Sequence, residues 1–130
     1  MAGQYHEPRD VLSTKTLDVK RAIDSMMEEL EAIDWYRQRA EAASDPALRA
    51  ILDHHQREEI EHFAMLLEWL RRNDADFADQ LRDYLFTEGD IVAAEEEANG
   101  PGDRGSGSAG EAPAERESRR RTIGGLKEGT

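Results

Sequence analysis

The 130-residue sequence contains no cysteine. Disulfides, thiolate zinc sites, iron–sulfur clusters and rubredoxin-type centres are therefore excluded, although the redox compartment stays undecided. Aromatic residues are scarce at 6%, and apolar residues reach only 38% against 35% charged, a low apolar share for a monomer that must enclose its own core. Positive charge is in deficit: 17 Lys and Arg face 29 Asp and Glu, a formal net charge of −12. Sequence-independent nucleic-acid binding needs clustered cations to neutralise phosphates, so this balance argues against it. An acidic chain is suited to attracting cations instead. Long apolar runs are missing as well: the longest, Phe63–Leu67, falls far short of a bilayer span. Met1–Asp10 is polar and lacks a basic-then-apolar leader pattern. The expectation is a cytoplasmic chain with one domain at most.

What is present is helical periodicity. Residues 1–12 contain Gly3 and Pro8 without a sustained period and read as a flexible arm. A helix is predicted from Ser13 or Thr14, either of which can cap it, to about Ala43. Val19, Ile23, Met26, Leu30 and Ile33 repeat at four- and three-residue intervals along it, a coiled-coil-like seam. Asp45 then serves as an N-cap and Pro46 fits the first position of a second helix, which runs to about Arg72 with Leu48, Leu52, Phe63, Leu66 and Leu70 on one stripe. Helices of this length across so short a turn form an antiparallel hairpin. A shorter helix is expected from Ala75 to Phe86, presenting Phe77, Leu81, Tyr84 and Leu85, and a weak helical turn from Ile91 to Ala98. The helical domain spans 13–98. Residues 99–121, rich in Gly, Ser, Ala, Pro, Glu and Arg, read as a disordered linker, and a short apolar return follows within 122–130. The class is all-α. With no second hairpin in the sequence, one long apolar stripe faces water, and self-association is expected.

Glu59-Ile60-Glu61-His62 carries the chemistry. A Glu and a His three residues apart share one side of a helix and can reach one metal ion. At about 100° per residue, Glu59 lies on the stripe of Leu52, Phe63, Leu66 and Leu70, with His62 flanking it. On the first helix, Glu29 shares its direction with Ala22, Met26, Ile33, Tyr36 and Ala40. Both carboxylates thus point toward apolar surface, where an unpaired charge is costly and a divalent cation would compensate it. Oxygen with imidazole nitrogen suits iron, manganese or zinc. Glu29, Glu59 and His62 are half the ligand set of a ferritin-like carboxylate centre, in which two helices give a Glu each and two give Glu-x-x-His. A second copy would supply the other half, so the expected fold is a hairpin plus short C-terminal helix dimerising into a ferritin-like four-helix bundle. Two ferrous ions would balance the four carboxylates of such a pair. Less pointed readings apply elsewhere. His54 and His55 read as solvated or turn residues, although His55 lies near the Glu59 stripe; Met26, Met27 and Met65 read as core filling. Glu28, Glu31, Glu58 and Glu61 read as a solvated face, with Glu28 and Glu31 also able to draw cations toward Glu29.

The run Met27-Glu28-Glu29-Leu30-Glu31-Ala32-Ile33-Asp34-Trp35-Tyr36, taken with Glu58–His62, Leu67–Arg72 and Tyr84–Glu88, resembles the encapsulated ferritins over about residues 6–90. The resemblance implies a ferroxidase that oxidises Fe(II) with oxygen at a di-iron site between two subunits. It also implies a homodimer further associated into a ring of dimers, about five in number. By position, Glu29, Glu59 and His62 match the iron ligands and Tyr36 a tyrosine standing behind them. Glu28, Glu31 and Trp35 match an outer site on the metal's approach path. Two iron ions per dimer are implied, with manganese and zinc as substitutes. Thr122-Ile123-Gly124-Gly125-Leu126-Lys127 is similar to the peptides that dock cargo on the inner wall of encapsulin shells, with Arg121 and Gly125 departing from the usual pattern. The implied location is inside an encapsulin nanocompartment, the linker holding the enzyme near the shell. Competing readings are a peroxidase or manganese enzyme on the same fold and a non-enzymatic helical assembly protein.

Overall fold

Four helices, each opened by a capping side chain, organise the described part of the chain. The structure is a computed structural model that describes residues 4–100. The expected peptide at 122–130 and all of the expected linker beyond Gly100 lie outside the described residues. Helix α1 spans Thr14–Ala42, α2 Pro46–Asn73, α3 Ala75–Tyr84 and α4 Ile91–Asn99; a short 3₁₀ turn at Arg9–Val11 precedes them. Among the described residues there is no strand.

The helix starts follow from local polar chemistry. The Ser13 hydroxyl accepts from the Thr16 backbone N–H at 3.1 Å. The Asp45 carboxylate accepts from the Leu48 N–H at 2.8 Å, with Pro46 in the first turn where its missing donor is harmless. Asp74 accepts from the Phe77 N–H at 3.1 Å, and Asp90 from the N–H groups of Val92 and Ala93 at 2.9 and 3.1 Å. The α1–α2 turn is fastened from the far side as well, since Arg49 donates to the Ala43 carbonyl at 2.9 Å. The result is an antiparallel hairpin of α1 on α2, with α3 packed against α2 and α4 against α3.

Some expectations shift. The segment at Ile91 is a nine-residue helix rather than a weak turn, because Asp90 satisfies two of its free N–H groups. It runs through Asn99, one residue past the expected domain limit. Helix α3 ends at Tyr84, two residues before the expected Phe86, because Leu85 is already extended at φ −72° and ψ 142°, and Phe86 follows in the left-handed region at φ 58°. The arm is partly structured: Lys20 and Arg9 lie over the Tyr5 ring at 4.8 and 5.2 Å from its centroid, tying the arm to α1.

The enclosed core is very small. Among the described residues only Ala22, Ala40 and Leu70 are buried, Leu70 completely. The hairpin's own seam on α1 follows Ala22, Met26, Glu29, Ile33, Tyr36 and Ala40, whereas Ile23 and Leu30 of the expected stripe remain 37% and 50% exposed. Leu48 of the α2 stripe is also exposed, as are Ile51, Ile60, Met65 and Trp69. A run of four- and three-residue intervals marks an apolar surface wider than one partner helix covers. No helix among the described residues is long and apolar enough to cross a membrane.

Candidate metal centre

The hairpin register sets Glu29 of α1 opposite Glu59 and His62 of α2. The three side chains each offer a ligand atom, and these atoms lie within 4.8 Å of one another. Nδ1 of His62 stands 3.1 Å from Oε2 of Glu59, one turn earlier on α2, and 3.8 Å from Oε2 of Glu29 across the seam. The two carboxylates are about four-fifths covered, with side-chain exposures of 22% and 21%, whereas His62 is 51% exposed. The cluster is therefore backed by the hairpin and open on the His62 side.

Its electrostatics are those of three groups competing for protons. The hydrogen bond to Glu59 raises the Glu29 carboxyl above its ordinary value, with burial and the Glu59 charge adding to this. Glu59 is lowered, first as the partner in that hydrogen bond and then through His62. The hydrogen bond to Glu59 raises the His62 imidazole, and the charge of Glu29 adds to the effect. A cation placed among the three would replace the shared proton. Two carboxylate oxygens and one imidazole nitrogen are a donor set that fits iron, manganese or zinc. One chain offers three ligand residues, short of the coordination these ions take, so water or further protein donors must complete any site.

The other residues singled out from the sequence stand apart from this cluster. Glu28, Glu31 and Trp35 are exposed on α1 and do not join it. Glu58 is paired with His54 at 3.1 Å, both exposed, and Glu61 is exposed. Tyr36 is half-buried on the Glu29 face, and its ring stacks on His55 with centroids 5.2 Å apart and planes 14° apart. Arg39 sits 5.6 Å from the ring centroids of both Tyr36 and Trp35. Reading His55 as a solvated or turn residue is therefore corrected. It is half-buried mid-helix, and its position one turn before Glu59 was the available signal.

A family model described as EncFtn-like matches residues 4–88. The chain belongs to the EncFtn-like family. It is 55% identical over 111 residues to an encapsulated ferritin-like protein of Rhodospirillum rubrum, covering 85% of this chain and 76% of that one. It is 48% identical over 110 residues to a ferritin-like protein of Thermotoga maritima, covering 85% of this chain and 96% of the relative. A crystal structure of a Nitrosomonas europaea protein superposes with a TM-score of 0.65 at 55% identity, over 68% of this chain and 97% of that one. EncFtn-like membership spans all of α1, α2 and α3, and so includes the three clustered residues.

Proposed function

We propose that this EncFtn-like protein is a ferroxidase, with iron as its substrate, and that its working site forms where the Glu29–Glu59–His62 clusters of two copies face each other. The carrying observation is the convergence of two carboxylates and an imidazole within 4.8 Å on an apolar hairpin that covers them from one side only. Two copies bring twice that donor set, enough for two ferrous ions, and their uncovered apolar faces complete a four-helix bundle. Glu29 and Glu59 bind or bridge iron, His62 supplies nitrogen, and Tyr36 stands behind them on the same face. Each ferrous ion gives up one electron, and dioxygen with solvent protons accepts them. The carboxylates favour the more highly charged ferric product.

Outside the centre, exposed Glu28 and Glu31 with Trp35 form an acidic approach for cations, and the net charge of −12 draws them toward the chain. Manganese and zinc fit the same donors as substitutes. The name of the Rhodospirillum rubrum relative supports a role as encapsulin cargo inside a nanocompartment. In this chain the docking segment is Thr122–Lys127, and the dimers close into a ring.

The test is a mass measurement of the full chain with and without ferrous iron, beside an oxidation trace in air. The expected result is association on adding iron, about one iron per chain from the shared-site geometry, and oxidation well above the buffer rate. Oxidation at the buffer rate, or full activity in an isolated subunit, refutes the reading. Turnover with manganese and peroxide instead of iron and oxygen would move it to another di-metal enzyme.

A further inference from the structure

The Tyr36–His55 stack is the one contact between aromatic rings on α1 and α2 among the described residues. Tyr36 lies two helical turns beyond Glu29 on α1, and His55 one turn before Glu59 on α2, so the stack borders the cluster on its turn side. A centroid separation of 5.2 Å with planes 14° apart is an offset face-to-face arrangement, and both residues are half-buried.

A tyrosine on a helix has two favoured χ1 settings that send its hydroxyl in different directions. An imidazole and a guanidinium lie against the Tyr36 ring. Arg39, three residues on, belongs to the same helix and divides itself between Tyr36 and Trp35, so it moves with α1. His55 belongs to the helix that carries Glu59 and His62. The stack therefore ties the phenol ring to the frame of those two residues.

Resting on the proposed function, we infer that His55 is a positioning residue: its imidazole face sets the Tyr36 ring, and so fixes where the phenol hydroxyl stands relative to the iron-binding carboxylates. The stacking face carries the effect, so a phenylalanine at this position should substitute for it and an alanine should not.

The experiment compares His55→Ala and His55→Phe in the full chain, with helix content checked by circular dichroism. In metal-free protein carrying ¹³C-ring-labelled tyrosine, Tyr36→Phe assigns the Tyr36 signal among the three tyrosines. The His55→Ala change should move that signal toward the position of an unstacked ring, and His55→Phe should keep it displaced by a ring current. At saturating ferrous iron His55→Ala should oxidise about tenfold more slowly with the half-saturating iron concentration unchanged, as misplacement of a group beside the chemistry does. His55→Phe should stay within about twofold of the parent rate, about 0.4 kcal/mol in barrier. An unmoved Tyr36 signal in His55→Ala, or His55→Phe as slow as His55→Ala, overturns the inference. A parent chain without iron oxidation sinks the functional reading instead, and the tyrosine signals still decide the contact.

Discussion

The imidazole of His62 lies 3.8 Å from the Glu29 carboxylate, across the hairpin rather than along one helix. The cluster therefore exists only when α1 and α2 are docked in this register. Its members are partly exposed, so removing them should spare the fold while removing the chemistry. Glu29→Ala, Glu59→Ala and His62→Ala should each lower iron oxidation by about a hundredfold or more, since even outer partners of metal ligands are worth 10–100-fold. Stability should change by about 1 kcal/mol or less. Oxidation traces beside urea unfolding curves check both halves; undiminished oxidation in any of the three removes that residue from the site.

Metal binding should depend on pH with a definite sign. Glu29 and His62 both hold protons more tightly than usual, and a metal must displace them. Zinc, as a redox-inert probe, should bind more tightly as pH rises through the raised His62 value, which lies above 6.5, and level off beyond it. Calorimetry in buffers of different ionisation enthalpy should record proton release, reduced in His62→Ala. The metal-free fold responds in the opposite direction. The favourable His62–Glu59 contact is fully present below the ordinary imidazole value and is lost as pH rises through the raised one.

Leu70 is the sole large side chain fully enclosed among the described residues. Leu70→Ala removes its methyl groups from a fully enclosed position and should destabilise the chain by about 2–5 kcal/mol. Chemical unfolding at fixed protein concentration measures this. A loss near zero would mean that the packing around Leu70 collapses freely.

Phe86 combines a left-handed φ of 58° with a fully exposed side chain. The turn around it is closed by the Thr87 hydroxyl, which donates to the Tyr84 carbonyl at 2.7 Å and does not involve the Phe86 ring. Phe86→Gly should therefore raise the midpoint of thermal unfolding, with a gain of about 1 kcal/mol from relief of the left-handed penalty. An unchanged or lower midpoint would mean that the left-handed penalty at Phe86 does not exceed the conformational freedom glycine adds to the unfolded chain.

Much of this architecture is legible in the sequence because polar caps announce helix starts. Ser13 and Asp45 with Pro46 each stand where a helix begins and make the expected hydrogen bond, and Asp74 caps α3 in the same way. The Glu29–Glu59–His62 cluster is legible for a related reason: helical angles place both glutamates on apolar faces, and a short turn leaves the hairpin little freedom of register. The exposure of Ile23 and Leu30 is not legible, because periodicity reports an apolar surface without saying which part the hairpin itself covers. Nor is the Tyr36–His55 stack, which depends on cross-helix registration to within a fraction of a turn. The early end of α3 turns on the extended backbone of Leu85, which no composition rule favours.

A chain whose described residues include one fully sheltered leucine has little resistance to opening when alone. Newly synthesised chains would then be open to proteases until mass action brings copies together, and survival in the cell would scale with how many are made at once. On the proposed reading, the sparse interior would act as a quality-control device, in which unmatched subunits are cleared before they can handle a reactive metal.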